Sequence, residues 1–263
     1  MIHDLIGHRG ILKLMIQRDL RARYAGSMLG AAWSIIHPML LILIYIAVLG
    51  SLLRRPLTGG SEKGLYAAHL CAGIIPWLLF SEILGRCSTT LLENANLLRK
   101  LSFPAILLPV SVFLNALMTY SAATVFFLAL LLILGFPLGG GATLYFVILL
   151  AVACLGLGLG LFVAILNVYF RDLGQFVTIF LQLFFWLNPI VYFKETEGMA
   201  VFLQKLIELN PFHHYILASQ WACFAGAGPS PDAVPLMVAL PVIALMAGAS
   251  FFSHQRRAVL DEL

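Results

Sequence analysis

Tyr169, Phe176, Phe180 and Phe184 recur at spacings of seven, four and four, which places all four rings on one face of a helix. Phe185, Trp186, Tyr192 and Phe193 add to the density. The axial C–H groups of a sugar lie flat on such rings, and ring stacking is weakly directional, so an aromatic stripe lets a polymer slide without fixing it at one point. The plainer alternative is lipid-facing bulk or an interfacial belt. A belt clusters at the ends of a span, whereas this stripe runs through the middle.

Other residue types suggest less chemistry. Glu82 is the one acid well inside an apolar stretch, and Arg86 follows it by one helical turn, as expected for an i,i+4 pair at the membrane edge. His213 and His214 are adjacent, so on a helix they point about 100° apart. With no third ligand nearby in sequence, they read as interfacial polarity. In Gly156–Phe162, "GLGLGLF", the third glycine is one position early for a dinucleotide loop. Gly156, Gly160 and Ala164 instead form a small-residue ridge that admits a close helix neighbour. No GxxxxGK[ST] phosphate loop occurs. There is also no DxD or DDxxD motif of the kind a metal-phosphate site uses.

The elements that carry these residues follow from composition. The 263-residue chain is 61% hydrophobic and 11% charged. Its mean hydropathy is +0.97. Apolar runs near or above about 18 residues recur, each enough to cross a hydrocarbon core as a helix. The runs do not alternate apolar with polar, which excludes a barrel. The expected fold is all-α and integral to the membrane, a single bundle over residues 1–263. Six spans are expected at 31–53, 65–84, 105–134, 143–166, 174–193 and 234–252. Residues 198–228 hold an amphipathic piece and a short apolar piece, suited to a re-entrant or gate region on the outer side. Basic residues sit at the ends of apolar runs, so the pI of about 9.0 does not indicate nucleic acid binding. Cys71, Cys87, Cys154 and Cys223 lie in or beside apolar segments and read as packing residues. No cleavable signal is expected, because the first apolar stretch follows a charged segment.

Placing the N-terminus in the cytoplasm leaves only Arg54, Arg55, Lys63, Lys194 and Lys205 of the 16 basic residues outside. Both termini are therefore expected to be cytoplasmic. Residues 10–29 carry Leu12, Met15, Ile16 and Leu20 at helical spacing, with Lys13, Arg18, Arg21 and Arg23 largely off that face. This predicts a helix lying in the cytoplasmic interface. Its arginines can equally be a simple topology anchor.

The order of motifs carries a family resemblance. "RDLRARYAGSMLGAAWSIIHP" (18–38), "GIIPWLLF" (73–80), "ENANLLRKLSFPAILLP" (93–109), "NVYFRDLGQFVTIFLQLFFWLNPIVY" (167–192) and "NPF" (210–212) follow one another. The combination resembles the membrane permease of type-2 ABC exporters for lipid-linked polysaccharides: O-antigen, teichoic acid and capsule. "FRDL" and "PIVY" sit nearer the O-antigen and teichoic-acid branch. The resemblance implies a non-catalytic, multi-pass subunit of the bacterial inner membrane. It would work as two copies with two copies of a separate ATPase, which holds the ATP and Mg²⁺; the chain itself needs no cofactor. Residues 94–104 match a cytoplasmic coupling segment, so Asn94, Asn96, Leu97 and Lys100 would seat in the ATPase. Arg18, Asp19, Arg23 and Tyr24 match the interface-helix motif. Arg18, Arg21 and Arg23 would then meet the diphosphate of a polyprenyl-linked glycan, since guanidinium pairs bidentately with phosphate oxygens. Phe176, Phe180 and Phe184, with Tyr169, would line the glycan path, and Tyr192 and Phe193 its outer mouth. Type-2 permeases for drugs or lipids share the six spans and are the alternative.

Overall fold

The computed structural model describes residues 7–23, 26–49, 65–100, 104–136, 141–191, 201–224 and 229–262, and among them the chain forms helices and turns with no strand. The helices are α1 (Arg9–Arg23), α2 (Trp33–Ile44), α3 (Leu65–Glu93), α4 (Ala95–Lys100), α5 (Leu107–Ile133), α6 (Gly141–Tyr169), α7 (Leu173–Trp186), α8 (Val201–Leu209), α9 (Phe212–Phe224) and α10 (Ala233–Glu262). A 3-10 turn, Gly30–Ala32, leads into α2, and a wider π turn, Tyr45–Leu49, continues it.

Four of these helices contain segments long and apolar enough to cross a membrane: Ala68–Glu93, Leu107–Ile133, Gly141–Tyr169 and Ala233–Gln255. In lipid every backbone N–H and C=O must be paired internally, and a continuous helix achieves that. The chain is a multi-pass membrane protein. Trp33–Val48 and Leu173–Trp186 are apolar but shorter. The 14 residues of α7 rise only about 21 Å. Asn188–Pro189 follows shortly after its end, where proline removes a backbone donor and restricts the preceding residue. The segment expected at 174–193 is thus helical to Trp186, and 192–200 lies outside the described residues. In the other direction α3 runs nine residues past 84, because Ser88, Thr90 and Leu91 turn inward and keep it packed.

α3 is the centre of the bundle, and 72% of its most apolar window is buried against 17% for α10. It packs on α5, α6, α7 and α9. α10 lies at the edge, and Val238, Val242, Ile243 and Met246 face outward as a lipid surface does. Glycine sets the closest contacts. A Cβ on Gly156 would meet Ile83 at 3.3 Å, and one on Gly160 would meet Cys87 at 2.7 Å. The ridge of Gly156 and Gly160 thus seats α6 on α3. Gly158, on another face of α6, abuts the backbone of Ala244, and Gly248 abuts the backbone of Gly158. That second seam joins α6 to α10 and follows the same small-residue rule. Cys71, Cys87 and Cys223 are free and buried.

Candidate functional site

α7 carries Phe176, Phe180 and Phe184 of the aromatic stripe, whereas Tyr169 ends α6 before the turn at 170–172, so the four rings do not share one helix as their spacing suggested. Asparagine side chains hold both ends of α7. At its start Asn167 Oδ1 accepts the Gly174 N–H at 2.8 Å, while Asn167 Nδ2 donates to the Ser88 carbonyl of α3 at 2.8 Å. One buried amide therefore pairs an orphan donor of the first turn and ties α6, α7 and α3 together. The helices approach closely at Gly174, where a Cβ would lie 3.1 Å from Thr89 and 3.3 Å from Asn167. At its end Asn188 Nδ2 donates to the Phe184 carbonyl at 2.7 Å. Asn210 Nδ2 donates to Asn188 Oδ1 at 3.0 Å, and Asn210 Oδ1 accepts the Phe212 N–H at 2.9 Å. The two Asn-Pro turns, 188–189 and 210–211, thus lock the end of α7 to the start of α9.

An aromatic cluster reinforces that lock. Trp77 packs edge-on against Phe212 at 5.6 Å and touches Phe184 and Phe185, each at 5.7 Å. Phe184 is therefore half in this cluster and stacks on Phe180 at 5.2 Å. Phe176 and Phe180 are 62% and 41% exposed, and Tyr169 is 41% exposed. The stripe divides: Phe184 packs inside, and Phe176, Phe180 and Tyr169 face out. Tyr192 and Phe193 lie outside the described residues.

On the opposite flank of α7 an open groove of about 610 Å³ runs along α3. Trp77, Ser81, Gly85, Thr178, Leu181, Gln182, Phe185 and Trp186 line it. None of these eight is charged. Rings beside neutral hydroxyl and amide groups suit a polyhydroxylated, uncharged chain better than an ion. The sequence reading missed Thr178 and Gln182. Their spacing of four, on the flank away from the phenylalanines, was the available signal.

A second constellation joins α1, α3 and α5. Asp19 of α1 receives Arg86 Nη2 of α3 on Oδ1 at 2.6 Å and Asn115 Nδ2 of α5 on Oδ2 at 2.7 Å. Arg86 Nη1 also reaches Glu82 Oε1 at 3.5 Å, the expected i,i+4 pair. Arg18 Nη2 donates to Asn94 Oδ1 at 2.6 Å. Asn94 forms the turn between α3 and α4, and its own amide donates to the Thr90 carbonyl at 2.9 Å. Arg21 is exposed. In α4, Asn96 is exposed, while Leu97 packs on the core beside buried Leu98. The side chains of Arg23 and Lys100, and all of Tyr24, lie outside the described residues. Asn115 was missed from sequence, although an asparagine within an apolar helix is the mark to look for.

Residues 11–224 match the family described as "ABC-2 type transporter", and the chain belongs to that family. It is similar along its full length to the O-antigen export system permease protein RfbA of Myxococcus xanthus, with 30% identity over 269 residues covering 100% of this chain and 99% of that protein. A protein of the same name from Klebsiella pneumoniae is 25% identical over 254 residues, 92% of this chain and 91% of its own. Another from Klebsiella pneumoniae is 26% identical over 210 residues, 79% and 78%. The chain is accordingly a transporter subunit.

Proposed function

We propose that this protein is the membrane permease of an ATP-driven exporter that carries polyprenyl-diphosphate-linked polysaccharide, O-antigen in the first place, from the cytoplasmic to the outer side of the bacterial inner membrane. The observation that carries the reading is the end-to-end similarity to the Myxococcus xanthus O-antigen permease. The neutral, aromatic-edged groove between α3 and α7 supports the substrate class.

Two copies pair to enclose the path and bind two copies of a separate ATPase, which binds ATP and Mg²⁺. Six segments cross the membrane, α2 and α7 among them, with α9 re-entrant from the outer side and both termini in the cytoplasm. α1 lies in the inner interface. Arg21 and Arg23 meet the diphosphate there by bidentate pairing. α4 seats in the ATPase through Asn96 and Lys100. The polymer advances along α7, stacking on Phe176, Phe180 and the groove rings while Ser81, Thr178 and Gln182 exchange hydrogen bonds with passing hydroxyls. Because each contact is weak and repeated, no single position traps the chain.

The test is removal and capture. Deleting the gene should leave lipid-linked glycan accumulated on the cytoplasmic face, and the tagged protein should bring down a nucleotide-binding ATPase in equal amount. Normal surface polysaccharide in the deletion strain would refute the assignment.

A further inference from the structure

Asn94 belongs to two connections at once. Its backbone carbonyl accepts the N–H of Leu97 at 2.9 Å and of Leu98 at 3.0 Å, which starts α4. Its side chain accepts Arg18 of α1 at 2.6 Å. One residue later in α1, Asp19 is held by Arg86 and Asn115, on α3 and α5. Buried Met15 supplies the apolar part of the same seat. α1 therefore touches the turn into α4 at one point and the transmembrane bundle at the adjacent point. A cavity of about 40 Å³ lies between, bordered by Arg18, Asp19, Arg86, Thr90, Asn94 and Ser111. It has room and polar partners for a water molecule. α1 can thus shift slightly while its polar groups stay paired.

We propose that the Arg18–Asn94 contact is the link that passes displacement of α4 to the interface helix, and that Asp19, clamped by Arg86 and Asn115, is the pivot about which α1 turns. A push on α4 moves Asn94, Asn94 pulls Arg18, and α1 rotates on Asp19. That rotation moves exposed Arg21 one turn onward, where the lipid headgroup is proposed to load. Arg18 and Asn94 are positioning residues, whereas Arg21 meets the substrate. The inference rests on the reading that α4 is the surface the ATPase moves.

The experiment places spin labels at Lys13→Cys on α1 and Arg171→Cys beside the start of α7, in the assembled permease–ATPase complex, with and without a non-hydrolysable ATP analogue. The original sequence should show a nucleotide-dependent change in the distance distribution. Arg18→Gln should retain the bound ATPase and its ATP hydrolysis, lose that change, and lower export at least tenfold. Arg18→Lys, which keeps a donor, should recover part of both. An unaltered distance change in Arg18→Gln overturns the link. Failure of the ATPase to bind the unsubstituted permease would sink the reading of α4 instead. The link is then judged on the permease alone, where Arg18→Gln should speed amide exchange across α1 and not across α5, and unchanged exchange overturns it.

Discussion

Asp19 and Arg86 are 67 positions apart in the chain, yet a guanidinium nitrogen and a carboxylate oxygen stand 2.6 Å apart between α1 and α3. Each side chain is about one-quarter exposed, at 25% and 28%. Fully exposed pairs contribute about 0–1 kcal/mol. This pair sits at the edge of a low-dielectric bundle and shares Asp19 with Asn115, so removing the carboxylate weakens two interhelical contacts at once. Asp19→Asn should loosen α1 while leaving the span helices folded. Limited proteolysis should cut near the N-terminus faster in the variant, with the bundle fragment intact.

The two asparagines after α7 make a second prediction. Asn210→Ala removes donors to Asn188 and to the Leu187 carbonyl and leaves the Phe212 N–H without its acceptor. Leaving such buried groups unpaired costs about 1–3 kcal/mol each. Thermal unfolding in detergent should report a clearly lowered midpoint, and Asn188→Ala should act in the same direction.

Helix approach gives a third. Gly248→Leu drives a side chain into the backbone of Gly158 and should prevent α10 from docking. Gly10→Ala meets nothing within 4 Å, lies in exposed α1, and should stabilise by about 0.5–1 kcal/mol. Yield and thermal midpoint of the two purified variants provide the comparison.

The proposed glycan path gives a fourth. Thr178→Val with Gln182→Leu keeps the groove's volume but strips its hydrogen bonding, and should slow export several-fold with assembly unchanged. Phe176→Ala with Phe180→Ala should slow long polymer more than short. Chain-length profiles of surface polysaccharide distinguish the two effects. A profile identical to that of the unsubstituted protein would mean these rings serve packing.

Arg21 gives a fifth. It is exposed, so Arg21→Gln should change stability by less than about 0.5 kcal/mol. Export should nonetheless fall, and the lipid-linked precursor should build up on the inner leaflet. Measuring precursor and folded permease in the same membranes checks both halves.

Much of this was legible in sequence because lipid imposes a simple rule. Apolar length marked the helices now seen as α3, α5, α6 and α10, and the spacing of Leu12, Met15 and Ile16 marked α1. Hydropathy placed helix ends less well. It ended the second segment at 84, although Ser88, Thr90 and Leu91 keep α3 packed to Glu93. The aromatic spacing located α7 but could not tell that Phe184 turns into the Trp77 cluster, because that depends on α9, 28 residues later, bringing Phe212 alongside. The partners of Asp19 were equally hidden, since no periodicity links residues on α1, α3 and α5. The role of Gly158 was hidden in the same way, because its close contacts are with Ala244 and Gly248 of α10, far along the chain, and no local spacing links them.

The central claim is that this chain is a conduit driven by a separate motor. It is tested most directly by reconstituting the purified permease with and without its ATPase in vesicles carrying lipid-linked glycan, then measuring glycan that becomes accessible on the opposite face. The account predicts transfer only with the ATPase and hydrolysable ATP, with the glycan covalently unchanged. Transfer by the permease alone, or chemical conversion of the glycan, would contradict it.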